Sequence, residues 1–179
     1  MSEKNKATIA VRNGVDADKH HGAVVPPIYL STTYSFADFD TKRAYDYGRS
    51  GNPNRDILAD TLAELEGGAR GIITATGMAA VHLATQLLNN DDTLVIPHDC
   101  YGGSYRLFTS LEKRGLLKLK VLDLTKPESL EQILTIKPKL IWIETPSNPV
   151  LRLTDIKAVT DIAKQSGALV AADNTFLSP

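Results

Sequence analysis

The sequence predicts an α/β fold in which a mostly parallel sheet lies between two layers of helices. From residue 54 onward, short apolar segments alternate with segments of helical periodicity, and glycines or capping residues stand between them. The last apolar segment, 168–172, has the composition of a buried strand. Such alternation is typical of parallel sheets, because parallel strands need long crossover connections that helices usually supply.

Each element is predicted from local signals, beginning with a helix that starts at Asn54. Its apolar stripe recurs at helical spacing over 57–65, and Gly67 and Gly68 end it. Thr125 and Glu128 have the spacing of a capping box and predict the start of a later helix. The other predicted elements are strands at 71–74, 93–97, 118–122, 140–144 and 168–172, helices at 77–88 and 104–113, and a helix capped by Thr154 and ended by Gly167.

The N-terminal part of the chain has a different character. Residues 22–53 are rich in Gly, Pro, Ser, Thr and Tyr and show no sustained helical or strand period. Long irregular segments of this kind are usually functional or wrap a partner. We therefore expect an extended arm over residues 1–53, followed by a three-layer α/β/α domain over residues 54–179.

Composition excludes several classes of protein. The chain has 179 residues and a net charge of −1, which does not favour nucleic acid or membrane partners. No apolar run approaches the length of a membrane span, and the polar N-terminus lacks a signal-peptide core. The single cysteine, Cys100, excludes an internal disulfide and fits a cytoplasmic protein. His20, His21 and His82 lack metal-ligand spacing, so we expect no metal site.

An acid, Asp173, stands at the end of the last predicted strand. In open α/β sheets, ligands bind at the carboxyl ends of the strands. A carboxylate buried there is costly unless a cation or a strong donor meets it. The flanking sequence supplies no obvious cation, so one interpretation is a ligand with a protonated ring nitrogen, such as pyridoxal phosphate. The alternative is that Asp173 caps the turn that follows it.

A second candidate site is the turn at 74–80, between a predicted strand and a predicted helix. A helix N-terminus presents free N–H groups and partial positive charge, which suit a phosphate, and Gly77 allows close approach of the backbone. The alternative is that these small residues serve packing. The sequence has neither a dinucleotide-binding nor a P-loop glycine motif, which disfavours both of those functions.

The segment 98–106 also follows a predicted strand. Tyr101 could stack on a flat ring, and Arg106 could bind a carboxylate through its planar guanidinium. Cys100 could be a nucleophile, although a lone cysteine is more often a small buried hydrophobic residue. The alternatives for the other two side chains are a half-buried loop aromatic and a solvated helix face.

Two further segments carry polar side chains of interest. Tyr47 and Arg49 could both donate to a phosphate, or could belong to a turn-rich surface loop. Asn148 lies between Pro146 and Pro149, which restrict the loop, and its amide could face a ligand. The alternative for this segment is a turn bounded by prolines.

Together these segments resemble the cysteine/methionine-metabolism family of pyridoxal-phosphate enzymes. The resemblance runs in the family's order across nearly the whole chain, and it implies the aminotransferase-like large domain of fold type I. It is carried by Val-Pro-Pro-Ile at 25–28, Tyr-Gly-Arg-Ser-Gly-Asn-Pro at 47–53, Leu-Glu-Gly-Gly at 65–68, Thr-Gly-Met-Ala-Ala at 76–80, His-Asp-Cys-Tyr-Gly-Gly at 98–103, Glu-Thr-Pro-Ser-Asn-Pro at 144–149 and Ala-Asp-Asn-Thr-Phe at 172–176.

The resemblance implies roles for individual residues. Gly77 and Met78 would bind the cofactor phosphate through backbone N–H groups. Tyr47 and Arg49 would reach the same phosphate from a neighbouring subunit. Tyr101 would stack on the pyridine ring and assist proton transfers. The other implied residues are Asp173 at the ring nitrogen, Asn148 at the ring oxygen, Thr175 as a further cofactor-binding residue, and Arg43, Asp46 and Arg106 near the substrate.

The resemblance also implies a reaction and an assembly. The reaction is a γ-replacement in which O-succinylhomoserine and cysteine give cystathionine and succinate. The assembly is a homo-oligomer, a tetramer built from dimers that share active sites. Within the family, the alternatives are cystathionine γ-lyase and O-acylhomoserine sulfhydrylase activities.

In this family the Schiff-base lysine lies shortly beyond the strand that carries the acid, and this sequence ends at Pro179 before such a lysine. We therefore expect the N-terminal half of an enzyme, without its C-terminal domain and inactive alone. The alternative from another class is a non-catalytic fragment that acts as a phosphate-binding or docking module.

Overall fold

Four parallel strands form a sheet in the computed structural model, which describes residues 5–178. The strands are β1 (Thr93–Pro97), β2 (Lys118–Leu122), β3 (Leu140–Glu144) and β4 (Leu169–Asp173), and their spatial order is β2-β1-β3-β4. The two central strands, β1 and β3, are buried almost throughout, as their continuous apolar sequences require. The predicted positions of these four strands are confirmed to within one residue.

Helices cover both faces of the sheet. Side chains of α3 (Gly77–Thr85) and α4 (Gly102–Lys113) share one apolar core with one face of β1 and β3. Side chains of α5 (Pro127–Ile136) and α6 (Ile156–Ser166) share a second core with the opposite face. The predicted three-layer α/β/α arrangement is confirmed. Successive side chains along a strand point to opposite faces of the sheet, so alternate residues of β1 and β3 contribute to the two cores.

The first long helix, α2 (Pro53–Glu66), begins earlier than predicted. Its N-cap is Asn52, whose side chain accepts from the backbone N–H groups of Asn54 and Arg55 at 3.0 and 3.3 Å. The side chain of Asn54 instead accepts from the Tyr29 N–H and donates to a carbonyl of the N-terminal segment. Pro53 favours the earlier start, because proline is well suited to the first helical position.

Two predicted caps are wrong for a related reason. The hydroxyl of Thr125 donates to Asp123 rather than capping α5, which has Lys126 at its N-cap position and no side-chain cap. Asp155, not Thr154, caps α6 by accepting from the Ala158 N–H at 3.0 Å. In both places a neighbouring side chain provides the stronger local hydrogen bond, which sequence spacing alone does not rank.

The predicted strand at 71–74 is wrong. No strand is assigned over these residues, and the Gly71 backbone lies directly against α2. A Cβ placed on Gly71 would stand 2.2 Å from the carbonyl oxygen of Ala59. The segment therefore packs against the backbone of α2. Its apolar composition suggested a strand, but composition does not show whether a neighbouring strand is present to pair with it.

Residues 5–73 and residues 74–178 form two compact units. The first unit contains α1 (Lys6–Arg12), α2 and a long irregular segment with isolated antiparallel bridges at Thr33–Tyr47 and Asp38–Thr41. The division between the units follows Ile73, whereas the sequence places a boundary after Pro53, and the assignment of domains stays a prediction. None of the helices in the described part of the chain is long and apolar enough to cross a membrane.

Candidate functional site

A cavity of about 620 Å³ lies in the second unit, at the carboxyl ends of the strands. Its volume is in the range typical of small-molecule sites. It is bounded by the N-terminal end of α3, by the segments that follow β1 and β3, and by the end of β4. Six of the predicted cofactor-binding residues line it: Gly77, Met78, Tyr101, Asn148, Asp173 and Thr175.

The N-terminal end of α3 faces this cavity. Thr76 caps the helix, and its side chain accepts from the Ala79 N–H at 3.1 Å. Gly77 and Met78 occupy the first turn, where N–H groups lack intrahelical acceptors. A Cβ placed on Gly77 would meet no atom within 4 Å, so packing within the protein does not require glycine there. The arrangement leaves a helix N-terminus open to an anion.

The ring of Tyr101 lies over Gly103. A Cβ on Gly103 would stand 2.4 Å from Tyr101 Cε1 and 3.1 Å from Met78 Sδ. Gly103 therefore leaves the space that the aromatic ring occupies. The ring is 45% exposed and lines the cavity, which is the position expected of a stacking side chain. Sequence reasoning assigned Gly103 no such role.

Asp173 ends β4, and its side chain caps the following turn. Its Oδ1 accepts from the Thr175 N–H at 3.2 Å and from the Thr175 hydroxyl at 2.5 Å. The capping interpretation of Asp173 is thus realised, and both of these hydrogen bonds use Oδ1 alone, while the residue lines the cavity. None of the ion pairs found within residues 5–178 includes Asp173. A cationic ligand would supply the missing partner.

Glu144 is the buried carboxylate that sequence reasoning did not single out. It ends β3 directly beside Asp173, its register partner on β4, and is 5% exposed. Burial raises the pKa of Glu144, and the charges of Asp173 and Asp99 raise it further. Hydrogen bonds from the backbone N–H groups of Tyr101 and Asn148 act in the opposite direction.

Cys100 lies in the same region but is not available as a nucleophile. Burial raises the pKa of its thiol to about 12, and the neighbouring carboxylate of Glu144 adds to the effect. A thiol with such a pKa stays protonated near neutral pH, and the protonated form is a poor nucleophile. Of the two interpretations of Cys100, the structure supports the small buried side chain.

Asn148 lies in a loop that is fastened at several points. Ser147 donates its hydroxyl to Asp99 at 2.8 Å and accepts from the Arg152 N–H at 3.2 Å. The guanidinium of Arg152 donates in turn to both carboxylate oxygens of Asp123, at 3.1 and 3.2 Å. These contacts hold the loop that presents Asn148 to the cavity.

Two buried donors in the cavity wall have no partner within the described protein. They are the hydroxyl of Ser104, which is fully buried, and the indole N–H of Trp142, which is 5% exposed as a residue. Both residues line the cavity. Buried polar groups are nearly always hydrogen-bonded, so these two suit a polar ligand or bound water.

Comparison with known proteins agrees with this geometry. The model of the family described as "Cys/Met metabolism PLP-dependent enzyme" matches residues 7–179. The chain belongs to this Cys/Met-metabolism family. Pyridoxal phosphate (PLP) is the family's cofactor. The fold is accordingly that of PLP enzymes of fold type I, in agreement with the α/β arrangement that the sequence predicts.

Relatives within the Cys/Met-metabolism family include both synthases and lyases. The chain is 52% identical to the cystathionine gamma-synthase of Escherichia coli (strain K12), covering 98% of this chain and 46% of the relative. It is 41% identical to a cystathionine beta-lyase of Bacillus subtilis (strain 168), covering 96% and 44%. A solved cystathionine gamma synthase from Xanthomonas oryzae pv. oryzae, in complex with aminoacrylate and cysteine, is 56% identical, with a TM-score of 0.96 and coverage of 99% and 46%. The chain thus spans about half the length of the relatives it matches.

The chemical groups that line the cavity suit PLP, the cofactor of the Cys/Met-metabolism family. An open helix N-terminus at Gly77 suits the phosphate, the Tyr101 ring suits a flat heterocycle, and Asp173 suits a protonated ring nitrogen. The unpartnered donors of Ser104 and Trp142 add polar groups to the same wall. No group of three or more His, Cys, Asp or Glu side chains within residues 5–178 could hold a metal ion.

The remaining predicted site residues do not line the cavity. Tyr47 and Arg49 belong to the first unit, where the guanidinium lies 5.0 Å from the centre of the tyrosine ring and donates to its hydroxyl at 3.0 Å. In the same unit, Asp46 forms a 2.7 Å ion pair with Lys42, and Arg43 donates to the Ser35 carbonyl. Arg106 is exposed on α4 and is absent from the cavity lining. Their roles stay predictions.

Proposed function

We propose that the whole protein to which this chain belongs catalyses a PLP-dependent γ-replacement. In this reaction O-succinylhomoserine and cysteine give cystathionine and succinate. The observation that carries the proposal is the higher identity to the two cystathionine gamma-synthases reported above, more than 50%, than to the lyases, at 32–41%. The six predicted cofactor-binding residues that share one cavity support the PLP dependence of the reaction.

The residues of the cavity would divide the work of holding PLP. The free N–H groups of Gly77 and Met78, at the positive end of α3, would bind the phosphate. The negative charge of Asp173 would keep the ring nitrogen protonated, because a neighbouring carboxylate favours the charged form of a base. Tyr101 would cover the ring and exclude water. When bound, PLP supplies an electron sink for carbanions formed on the substrate.

Other side chains would act on the substrate and on the outer part of the cofactor. Asn148 would donate to the ring oxygen, and Thr175, which already bonds Asp173, would orient that carboxylate. Arg106 would bind a substrate carboxylate from the exposed side of α4. We assign Arg43 and Asp46 to the substrate as well, and Tyr47 and Arg49 to the phosphate in a neighbouring subunit of a homotetramer.

The test is a product assay on the whole protein reconstituted with PLP. O-succinylhomoserine and cysteine are supplied together, and cystathionine is measured by mass spectrometry beside the cleavage of added cystathionine. We expect net formation of cystathionine and one succinate per cystathionine formed. Absence of cystathionine formation by enzyme with bound PLP would refute the proposal. O-acetylhomoserine as the alternative substrate measures the acyl preference.

Cystathionine cleavage is the second candidate function. Lyases of this family are 32–41% identical to the chain over nearly its full length, so their fold and motifs are shared. The same assay separates the two functions. Cleavage of cystathionine, with uptake of one water, to a thiol-bearing amino acid, a keto acid and ammonia, without net synthesis, would assign the protein to the lyases.

For the 179-residue chain by itself, we propose that PLP forms no covalent bond with the protein. No lysine is among the residues that line the cavity in the described part of the chain. Borohydride reduction followed by peptide mass spectrometry should find no stoichiometric pyridoxyl-lysine in this chain. A single, fully modified lysine would contradict the proposal.

A further inference from the structure

We propose that Glu144 is a positioning residue that holds the Tyr101 and Asn148 segments at a fixed spacing across the cavity. The inference rests on the proposed function for the importance of these two segments. In this proposal Glu144 does not contact the cofactor itself. It determines the positions of Tyr101 and Asn148, which are proposed to contact it.

The two carboxylate oxygens of Glu144 bond to different segments. Oε2 accepts from the backbone N–H of Tyr101 at 2.6 Å, and Oε1 accepts from the backbone N–H of Asn148 at 2.9 Å. Tyr101 precedes Glu144 by 43 residues and follows β1, whereas Asn148 follows β3. One rigid carboxylate therefore spans two loops that otherwise leave the sheet from different strands.

The electrostatic surroundings make the Glu144 carboxylate dependent on these two hydrogen bonds. Glu144 is 5% exposed, and the two charged groups that raise its pKa, Asp173 and Asp99, are also acidic. None of the ion pairs found within residues 5–178 includes Glu144. The N–H groups of Tyr101 and Asn148 thus stabilise the buried negative charge of Glu144. Charge-assisted hydrogen bonds of this kind are short and strong. Moving either loop away would leave that charge unsatisfied.

The Glu144→Gln variant separates positioning from simple filling of space. Glutamine has the same length and shape, so the core contacts are kept. Its carbonyl oxygen can accept from one N–H, but its NH₂ group faces the other N–H and can only donate. One of the two segments should therefore be released while the other stays attached. Glu144→Asp is the companion variant, because its shorter side chain cannot reach both donors.

The first experiment measures amide hydrogen exchange in the whole protein without cofactor. In Glu144→Gln, we expect the amide of Tyr101 or of Asn148 to exchange roughly tenfold faster, the effect of losing a hydrogen bond to a charged acceptor. Amides of α5, on the opposite face of the sheet, should not change. Ile133→Val, on the buried face of α5, serves as the control that lowers stability without touching either loop.

The second measurement uses bound PLP as a reporter of geometry. The circular dichroism that the protein induces in the cofactor band depends on a fixed orientation of ring and neighbours. We expect Glu144→Gln to bind PLP with roughly tenfold lower affinity, the same single hydrogen bond being lost, and with a reduced induced signal. The Ile133→Val control should keep both. If Glu144 had a merely structural role, Glu144→Gln and Ile133→Val would both be less stable than wild type, but their induced circular dichroism spectra would be the same.

The outcomes are distinguishable from those of the proposed function. If the wild-type protein does not bind PLP, the proposed function fails, whereas exchange in the cofactor-free protein still decides the role of Glu144. If wild type binds PLP and both amides exchange at the wild-type rate in Glu144→Gln, the inference about Glu144 is refuted while the proposed function stands.

If Glu144→Gln and Glu144→Asp both fail to fold, the wild-type protein provides the test. The amides of Tyr101 and Asn148 should exchange more slowly than the amide of Gly102, in the first turn of α4, and equal rates would refute the inference.

Discussion

At the scale of single residues, the carboxyl edge of the sheet is acidic. Asp99, Glu144 and Asp173 follow or end three neighbouring strands, and their charges contribute to raising the pKa of Cys100. The cavity lining contains no lysine or arginine in the part of the chain that the structure describes. A negative site whose lining supplies hydrogen-bond donors but no cation attracts a cationic group more strongly than a neutral one. This property distinguishes the site from a general phosphate-binding turn.

Asp173→Asn tests the charge of this site. We expect the variant to bind PLP about 10- to 100-fold more weakly, because a charge-assisted contact to the ring nitrogen is lost. The measurement is equilibrium dialysis of PLP against the whole protein. Asp91→Asn, on an exposed ion pair with Lys118, is the control and should bind as wild type does. Equal affinity in both variants would argue against a charged partner for Asp173.

Gly103→Ala tests the position of the Tyr101 ring. The added Cβ would stand 2.4 Å from Tyr101 Cε1, so the ring must rotate away, while the backbone can stay in place. We expect a changed absorption spectrum of bound PLP and roughly tenfold weaker binding, equal to the loss of one aromatic contact. Gly102→Ala is the matched control, since its Cβ meets only the mobile end of Arg106 at 3.2 Å. Similar spectra for the two variants would contradict the assignment.

At the scale of elements, the loop between β3 and α6 owes its shape to long-range contacts. Arg152 bridges it to Asp123, beyond the end of β2, and also contacts His98, beyond the end of β1, at 2.8 Å. Within the loop, the Ser147 N–H donates to the Arg152 carbonyl and the Leu151 N–H donates to the Ser147 carbonyl. A segment that two prolines restrict locally is therefore also held by side chains that directly follow two other strands.

Asp123→Asn tests this anchor and its dependence on pH. Hydrogen bonds from Thr125 and Arg152 lower the pKa of Asp123 to about 2, against an ordinary value of about 3.9. The stabilisation is thus complete above the ordinary pKa and is lost as the pH falls towards 2. At pH 6 we expect the protection of the Ser147 and Leu151 amides to fall about five- to tenfold in the variant.

Hydrogen exchange at several pH values provides the measurement for Asp123→Asn, with each rate corrected for intrinsic exchange. The difference between wild type and variant should shrink as the pH falls from about 4 to about 2. Asp161→Asn, on the exposed face of α6, is the control and should leave the loop unchanged. A difference that stays constant over this range would exclude titration of Asp123 as its cause.

At the scale of the whole molecule, the first unit exposes large apolar side chains. Ile28, Leu30 and Phe39 are 81%, 89% and 96% exposed. Exposed apolar groups at this density are typical of surfaces that contact another protein. They support the proposal that the N-terminal segment, which also carries Tyr47 and Arg49, contacts a neighbouring subunit.

Arg49→Ala tests whether that segment serves a shared site. We expect PLP to dissociate roughly tenfold faster from the variant, because one charged phosphate contact is removed. Cofactor release is followed by absorbance during gel filtration, which also reports the oligomeric state. Arg12→Ala, in an exposed ion pair of the same unit, is the control and should not differ from wild type. Unchanged release by an intact oligomer would remove the argument for a shared site.

Much of the fold could be predicted because its signals are local. The central strands β1 and β3 are largely apolar, and the helices have stripes at helical spacing, with glycine ends at Gly67 for α2 and Gly167 for α6. The errors have local causes of another kind. The caps at Thr125 and Thr154 lost to neighbouring acids, and the segment at 71–74 found a helix backbone where a strand partner was expected.

The candidate site divides in the same way. Residue types at strand ends and at the start of α3 drew attention to Gly77, Tyr101, Asn148 and Asp173, because the carboxyl ends of parallel strands share an edge. The resemblance to the family added Met78 and Thr175, and all six residues line one cavity. Glu144, Gly103 and the unpartnered donors of Ser104 and Trp142 were missed. Their roles depend on which loops meet across the sheet, and no spacing in the sequence encodes that meeting.

The sequence by itself determined the fold class, the family and the identity of the cofactor, because periodicity, caps and motif residues act over a few positions. Only the tertiary structure decided how the side chains around the cavity are held in place. The order β2-β1-β3-β4 brings Glu144 beside Asp173 and within reach of two loops. That proximity arises from strand pairing between distant segments, which is a property of the folded chain and not of any local pattern.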